Sequence, residues 1–198
     1  MDNRSTIDYY NNNADLYVKN TIDVEFSDIQ DWFLSQIPPG SLILDFGCGT
    51  GRDSRYFLQK GYRVEACDGS EVMARIAAQF TGISVKHMLF SDLNETERYD
   101  GIFACASILH VSSSELPVIL NKMKKATKVG GIIYVSFKYG TFEGIREDRY
   151  FTNQTEKTLK EMLRNINGLE IIGMRITNDV RTERKNERWL NVLLRRSE

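Results

Sequence analysis

The chain has 198 residues, 41% hydrophobic and 27% charged, with only 3 prolines, which excludes collagen-like, proline-rich and disordered classes and leaves room for one ordinary domain. Lys plus Arg is 26 against 27 for Asp plus Glu, so no global field draws polyanions and a nucleic-acid-coating protein is disfavoured. No apolar run reaches the roughly 20 residues of a membrane-spanning helix, and the first residues are polar, unlike an export signal.

The three cysteines, Cys48, Cys67 and Cys105, are odd in number and scattered, which fits a reducing cytoplasm and neither a disulfide framework nor a zinc knuckle. Each falls near the end of an expected strand, where a small apolar filler is the plain reading and a soft ligand the sharper one. Charge is uneven: residues 1–40 hold seven acids against two bases, and 181–196 hold six bases against two acids. The two ends are then either solvated faces or opposite borders of a site.

Residues 5–36 read as helical in two stretches, Ser5–Lys19 and Ser27–Ile37, stopped by Pro38-Pro39-Gly40. Short apolar runs then alternate with helical stretches. Strands are expected at Leu42–Phe46, Tyr62–Cys67, Ser84–Phe90, Gly101–Ala106 and Ile132–Phe137. Helices are expected after Gly51, over Ser70–Phe80, over Ser112–Thr127 behind a Ser112/Glu115 capping box, and over Thr155–Ile166. Leu169–Ile176 and Trp189–Leu194 follow as a strand pair with no helix between them, hence antiparallel. This alternation predicts an α/β fold: a doubly wound, mostly parallel seven-stranded sheet with an antiparallel C-terminal edge hairpin. The expected organisation is a single domain over 1–198, with a helical cap at 1–40 and the α/β core at 41–198.

Ligands of such sheets bind beyond the carboxyl ends of the strands, where strand order reverses. The first strand ends in Asp45-Phe46-Gly47-Cys48-Gly49-Thr50-Gly51. A dinucleotide site wants G-x-G-x-x-G, but its third glycine position is Arg52, and Asp45 sets a carboxylate where a diphosphate would lie. A ligand with a cationic amine or sulfonium suits that acid better. Asp68 ends the second strand 23 residues after Asp45, the spacing of the carboxylate that accepts from a ribose diol; the alternative is a helix cap before Ser70.

These residues resemble the class I S-adenosylmethionine-dependent methyltransferases over essentially the whole chain. Leu44–Gly51 is similar to the family's first motif and Asp68 to its ribose-binding acid. Tyr99–His110 is similar to the fourth-strand segment, and Lys128-Val129-Gly130-Gly131 to the "PGG" turn, with Val129 in place of proline. Within the family, Gly51–Ser54 and Arg188–Leu194 are most similar to small bacterial tellurite-resistance-type methyltransferases. The resemblance implies S-adenosylmethionine as cofactor, with Asp45 near the glycine turn, Gly47, Cys48 and Gly49 facing the methionine part, and Arg52 on its carboxylate. It further implies Asp68, Gly69 and Ser70 at the ribose, Leu89 and Phe90 beside adenine, and the Ala104 carbonyl on the ammonium. The family's adenine-binding acid is missing from its usual position, and Asp92 arrives three residues late.

His110, following the fourth strand, is the candidate base, and Tyr10, in an N-terminal helix able to close over the site, is the second catalytic candidate. Lys138, Arg146, Arg149, Arg181 and Arg184 favour an anionic or oxyanion acceptor such as tellurite. The expected partner is a small-molecule methyl acceptor, with no membrane and no nucleic acid. Alternatives are a protein or nucleic-acid methyltransferase and a non-catalytic nucleoside-binding protein.

Overall fold

In the computed structural model, which describes residues 4–181 and 184–198, the run Leu42–Phe46 forms strand β1 in the interior of a seven-stranded sheet. The chain then alternates through α4 (Arg52–Gln59), β2 (Arg63–Asp68), α5 (Glu71–Thr81), β3 (Val85–His87), β4 (Tyr99–Ala104), α6 (Leu116–Ala126) and β5 (Thr127–Lys138). Three helices precede this core, α1 (Arg4–Asn12), α2 (Ala14–Thr21) and α3 (Ser27–Leu34). After β5 come β6 (Glu143–Arg146), β7 (Arg149–Thr152), α7 (Glu156–Leu163), β8 (Leu169–Asn178) and β9 (Arg188–Arg196).

The sheet order is β3-β2-β1-β4-β5-β9-β8. Pairing is parallel from β3 through β5 and antiparallel in β5–β9 and β9–β8. The C-terminal hairpin therefore lies at the edge, with its reversed strand β9 inserted between β5 and the outermost β8. Strand order reverses between β1 and β4, so the carboxyl ends of these two part and leave a crevice.

Alternate side chains bury the two faces separately. Leu44, Ile102, Ile133, Val135 and Phe137 pack with Leu116, Leu120 and Met123 of α6 and Leu159 of α7. On the other face Ile43, Phe103, Ile132 and Tyr134 pack with Ile29 and Phe33 of α3 and Phe57 of α4. Here the Phe103 and Tyr134 rings stack with centroids 4.3 Å apart.

Three local features differ from the pattern read along the chain. The Ser112 hydroxyl donates to the Glu115 carboxylate at 2.6 Å, but Glu115 itself is the cap and α6 begins at Leu116, where Pro117 fits the first turn. The third strand stops at His87, and Phe90–Asp92 forms a 3₁₀ turn instead. An unexpected second sheet, the β6–β7 hairpin, turns through Glu147-Asp148, both at positive φ (49° and 60°). A two-residue turn of that hand normally calls for Asn or Gly, so the composition concealed it.

Gly101 of β4 marks where α3 meets the sheet: a Cβ there would lie 2.6 Å from the Phe33 ring. Gly101→Ala is expected to cost about 1–3 kcal/mol by overpacking. Denaturant unfolding measures this, and a midpoint unchanged from wild type would show that α3 is not seated as described.

Candidate active site

The crevice beyond β1 and β4 opens into a cavity of about 410 Å³, within the range of small-ligand sites. Its floor is the glycine turn. Gly47 has φ 81°, and a Cβ there would come within 2.5 Å of Ser107 Cβ; Gly49 has φ 55° under the Tyr17 ring. Both positions need glycine, one for close approach of the two strand ends and both for left-handed backbone. The Cys67 carbonyl accepts from Gly47 N and Cys48 N, each at 2.9 Å.

Asp68 fastens this turn to the next one. Its carboxylate accepts from Gly49 N (2.8 Å, Oδ2) and Ser70 N (2.8 Å, Oδ1). A carboxylate offers about four lone-pair directions; two are used by backbone, and the remainder are available in a cavity that Asp68 lines. Burial raises its pKa, opposed by those two N–H donors. Ser70 caps α5 by accepting from Met73 N and donates to Asn11 Oδ1 of α1 at 2.6 Å. Gly69 lies beside Ile7 and Leu89, where a Cβ would meet both at ordinary contact distance. Leu89 and Phe90 line the cavity with Met73, and the Phe90 ring packs 4.7 Å from Phe46.

Two residues are not where the family resemblance implies, and a third is partly engaged by an acid. Asp45 is 1% exposed and absent from the cavity wall, because strand alternation turns it toward α4, where the Ser54 hydroxyl donates to it at 2.6 Å. Burial, reinforced by Asp53, raises its pKa. Ala104 is fully buried in β4, and the wall begins one residue later at Cys105. Arg52 does line the cavity, but its Nε and Nη2 are forked onto Asp53 (3.0 and 2.9 Å to Oδ1) and it lies over the Phe26 ring. Asp92 accepts from Leu89 N at 3.3 Å and does not line the cavity. An apolar wall therefore stands where an acid would meet adenine.

Cys48 and Cys105 line the cavity, whereas Cys67 is fully buried. Burial pushes the thiols of Cys67 and Cys105 up to about 12, so they stay protonated near neutrality.

His110 sits in a 3₁₀ turn (Ile108–His110) and is 6% exposed. Its Nδ1 lies 2.6 Å from the Tyr150 carbonyl, which only accepts, so Nδ1 carries the proton. Nε2 is then the acceptor, and the Tyr10 hydroxyl donates to it at 3.0 Å. Burial lowers His110 to about 4, opposed by the Tyr150 carbonyl and reinforced by Arg149 and Lys138. Burial also raises Tyr10, and Arg149 works against that shift. Thr6 completes the arrangement by accepting from Tyr150 N at 3.0 Å. Helix α1 thus spans the cavity from Ser70 to Tyr150.

Lys138, Arg149, Arg181 and Arg184 line the cavity; Arg146 does not, its guanidinium lying over Phe142. Each of the four meets an acid: Lys138 with Glu187 (2.5 Å), Arg149 with Glu147 (2.9 Å), Arg181 with Asp179 (2.6 Å), and Arg184 with Glu147 and Glu187 (both 3.8 Å). Among the described residues, the N-terminal segment borders the cavity through Arg4, Thr6, Ile7, Tyr10, Tyr17, Thr21, Val24 and Phe26, not through its acids. The charge asymmetry of the two ends therefore does not meet across the mouth. The roles of Thr6, Tyr17 and Tyr150 escaped the sequence because they depend on α1 and the β6–β7 hairpin folding over one strand end.

The glycine turn, the Asp68 carboxylate and the apolar Leu89–Phe90 wall thus line one cavity. Residues 43–131 match the methyltransferase domain family. Malonyl-[acyl-carrier protein] O-methyltransferase of Serratia marcescens is 36% identical over 100 residues, covering 50% of this chain and 38% of that protein. Probable S-adenosyl-L-methionine-dependent methyltransferase TehB of Haemophilus influenzae is 30% identical over 95 residues, 45% of this chain and 33% of that protein. The matched stretch thus spans little more than a third of these relatives' length. Magnesium protoporphyrin IX methyltransferase from Synechocystis PCC 6803, with bound S-adenosylhomocysteine, shares the fold at TM-score 0.80 and 19% identity, covering all of both chains. No helix among the described residues is long and apolar enough to cross a membrane. Residues 43–131 are thus similar to methyltransferase domains, and the chain shares the fold of a solved methyltransferase that holds S-adenosylhomocysteine.

Proposed function

We propose that the protein transfers a methyl group from S-adenosylmethionine to a small acceptor bearing an anionic group, a carboxylate or an oxyanion; tellurite is one member of that class. The observation that carries this reading is that one cavity is lined by the glycine turn, Asp68, the Tyr10–His110 pair and four cations. The cofactor supplies an electrophilic methyl group; the protein has to align the acceptor and exclude water. Gly47, Cys48 and Gly49 would hold the methionine part, Asp68, Gly69 and Ser70 the ribose, and Leu89 and Phe90 the adenine. Arg52 retains Nη1 for the carboxylate of the tail.

The Tyr10–His110 pair handles the acceptor's proton. Tyr10 Oη, while donating to His110 Nε2, keeps a lone pair able to accept an O–H or N–H from the acceptor, and its own proton passes to Nε2. A base near 4 cannot deprotonate a resting hydroxyl with a pKa near 10, an uphill transfer of roughly 8 kcal/mol at 1.36 kcal/mol per unit. The attacking atom becomes strongly acidic as it gains the methyl group, and at that point the pair can take the proton.

Tyr10→Phe and His110→Gln are expected to lower kcat by about 10- to 100-fold, at or below the usual range for general-base loss, without changing cofactor affinity. The assay is acceptor-dependent release of S-adenosylhomocysteine across carboxylated and oxyanionic small molecules. Release with peptides or RNA alone would overturn the small-acceptor reading.

His110 is lowered in the folded protein, so between about 4 and the ordinary value of 6.5 the unfolded chain binds more protons. In that window His110 contributes stability that is lost as pH falls. Histidine NMR is expected to show His110 as the neutral Nδ1–H tautomer at pH 5.5; a midpoint near 6.5 would contradict the burial and the pairing.

A further inference from the structure

The geometry points to a carboxylate clamp between Arg149 and Arg184, occupied by the chain's own Glu147 until an acceptor carboxylate displaces it. This rests on the methyl-transfer reading for its purpose, but not for its test.

Three observations carry the clamp. Arg149 is 7% exposed, its guanidinium 4.3 Å from the Tyr9 ring centroid and 5.3 Å from that of Phe151. Its Nη2 donates to Glu147 at 2.9 Å, yet among the described residues Nε has no acceptor at all. Arg181 shows what a complete pair looks like in the same cavity wall: Nε and Nη2 both donate to Asp179, at 2.9 and 2.6 Å. Arg149 has only half of that side-on fork filled, and a buried unpaired N–H is a standing cost that a better-placed carboxylate relieves.

Arg184 supplies the second jaw. Among the described residues its guanidinium makes only two long ion pairs, 3.8 Å to Glu147 and 3.8 Å to Glu187. Glu147 Oε2 therefore lies between two guanidinium groups and marks where an anion is stabilised. Glu147 is easily displaced: its side chain is 59% exposed, and its backbone holds φ 49° in the two-residue turn of the β6–β7 hairpin, a conformation that disfavours glutamate.

The clamp also faces the chemistry. Arg149 lies 6.0 Å from the Tyr10 ring centroid, and Tyr10 donates to His110. An acceptor held by its carboxylate on Arg149 presents its neighbouring atoms to that pair. Neutralising Arg149 also removes part of the positive potential acting on His110. Planar two-oxygen geometry matches the half-filled Nε–Nη2 edge and the aromatic walls, which favours a carboxylate over a tetrahedral oxyanion.

The test titrates the full chain with benzoate, neutral benzamide and inorganic phosphate, following arginine Nε–H resonances by NMR. Benzoate is expected to move the Arg149 Nε–H signal downfield to saturation, and benzamide to leave it unmoved. Glu147→Gln removes the internal competitor and is expected to tighten benzoate by about tenfold, while Arg149→Lys, which keeps charge but loses the fork, weakens it by about tenfold. Equal benzoate affinity in wild type and Arg149→Lys, or weaker binding in Glu147→Gln, overturns the clamp. Phosphate bound more tightly than benzoate overturns the carboxylate assignment. Since no cofactor is needed, saturation by benzoate supports the clamp even if the chain never releases S-adenosylhomocysteine, an outcome that would instead refute methyl transfer.

Discussion

The carboxylate of Asp68 holds the amino end of α5, the glycine turn after β1 and the covering helix α1 in one frame. It accepts from Gly49 N and Ser70 N at 2.8 Å each, which fixes the left-handed turn relative to the end of β2. Ser70, positioned by that bond, caps α5 and donates to Asn11 of α1. Burying a carboxylate is costly unless donors compensate; here two backbone N–H groups do so, and the carboxylate stays in the cavity wall. The same bonds that stabilise the turn therefore fix the orientation of a carboxylate that lines the cavity.

The cationic part of the cavity wall works by a different balance. Four cations meet three acids there, and the pairs differ in how complete they are. Arg181 is fully forked on Asp179, Arg149 is half forked on Glu147, and Arg184 is only loosely paired. Such a set holds its shape without an acceptor, yet leaves donors whose best partner is a further anion. Helix α1 joins the two regions, through Asn11 on the Ser70 side and through Thr6 and Tyr10 on the Tyr150 and His110 side.

Much of the fold was legible because its signals are local. The run Leu42–Phe46 is apolar at nearly every position, as a strand buried on both faces must be, and the glycines that follow cannot continue it. Asp68 was legible by its distance from that turn, and His110 by its place after the fourth strand. The misplacement of Asp45 has the same origin as the success: in a strand buried on both faces the pattern carries no sign of which way a side chain points. Only pairing with α4 shows that Asp45 turns to Ser54. The β6–β7 hairpin was invisible because Glu147-Asp148 lacks the residues its turn prefers, and with it went Tyr150, whose carbonyl sets the His110 tautomer. Short polar contacts across one strand end leave no periodic trace in a single sequence.

The central claim is that the Asp68 cradle holds S-adenosylmethionine, and calorimetric titration of the cofactor into wild type and Asp68→Asn tests it directly. Asn keeps the size of the side chain but turns one acceptor into a donor facing a backbone N–H and a ribose hydroxyl. Wild type is expected to bind the cofactor, and Asp68→Asn to bind it at least about tenfold more weakly while still unfolding cooperatively. A wild-type chain that shows no binding, or an Asp68→Asn variant that binds as tightly, would contradict the account.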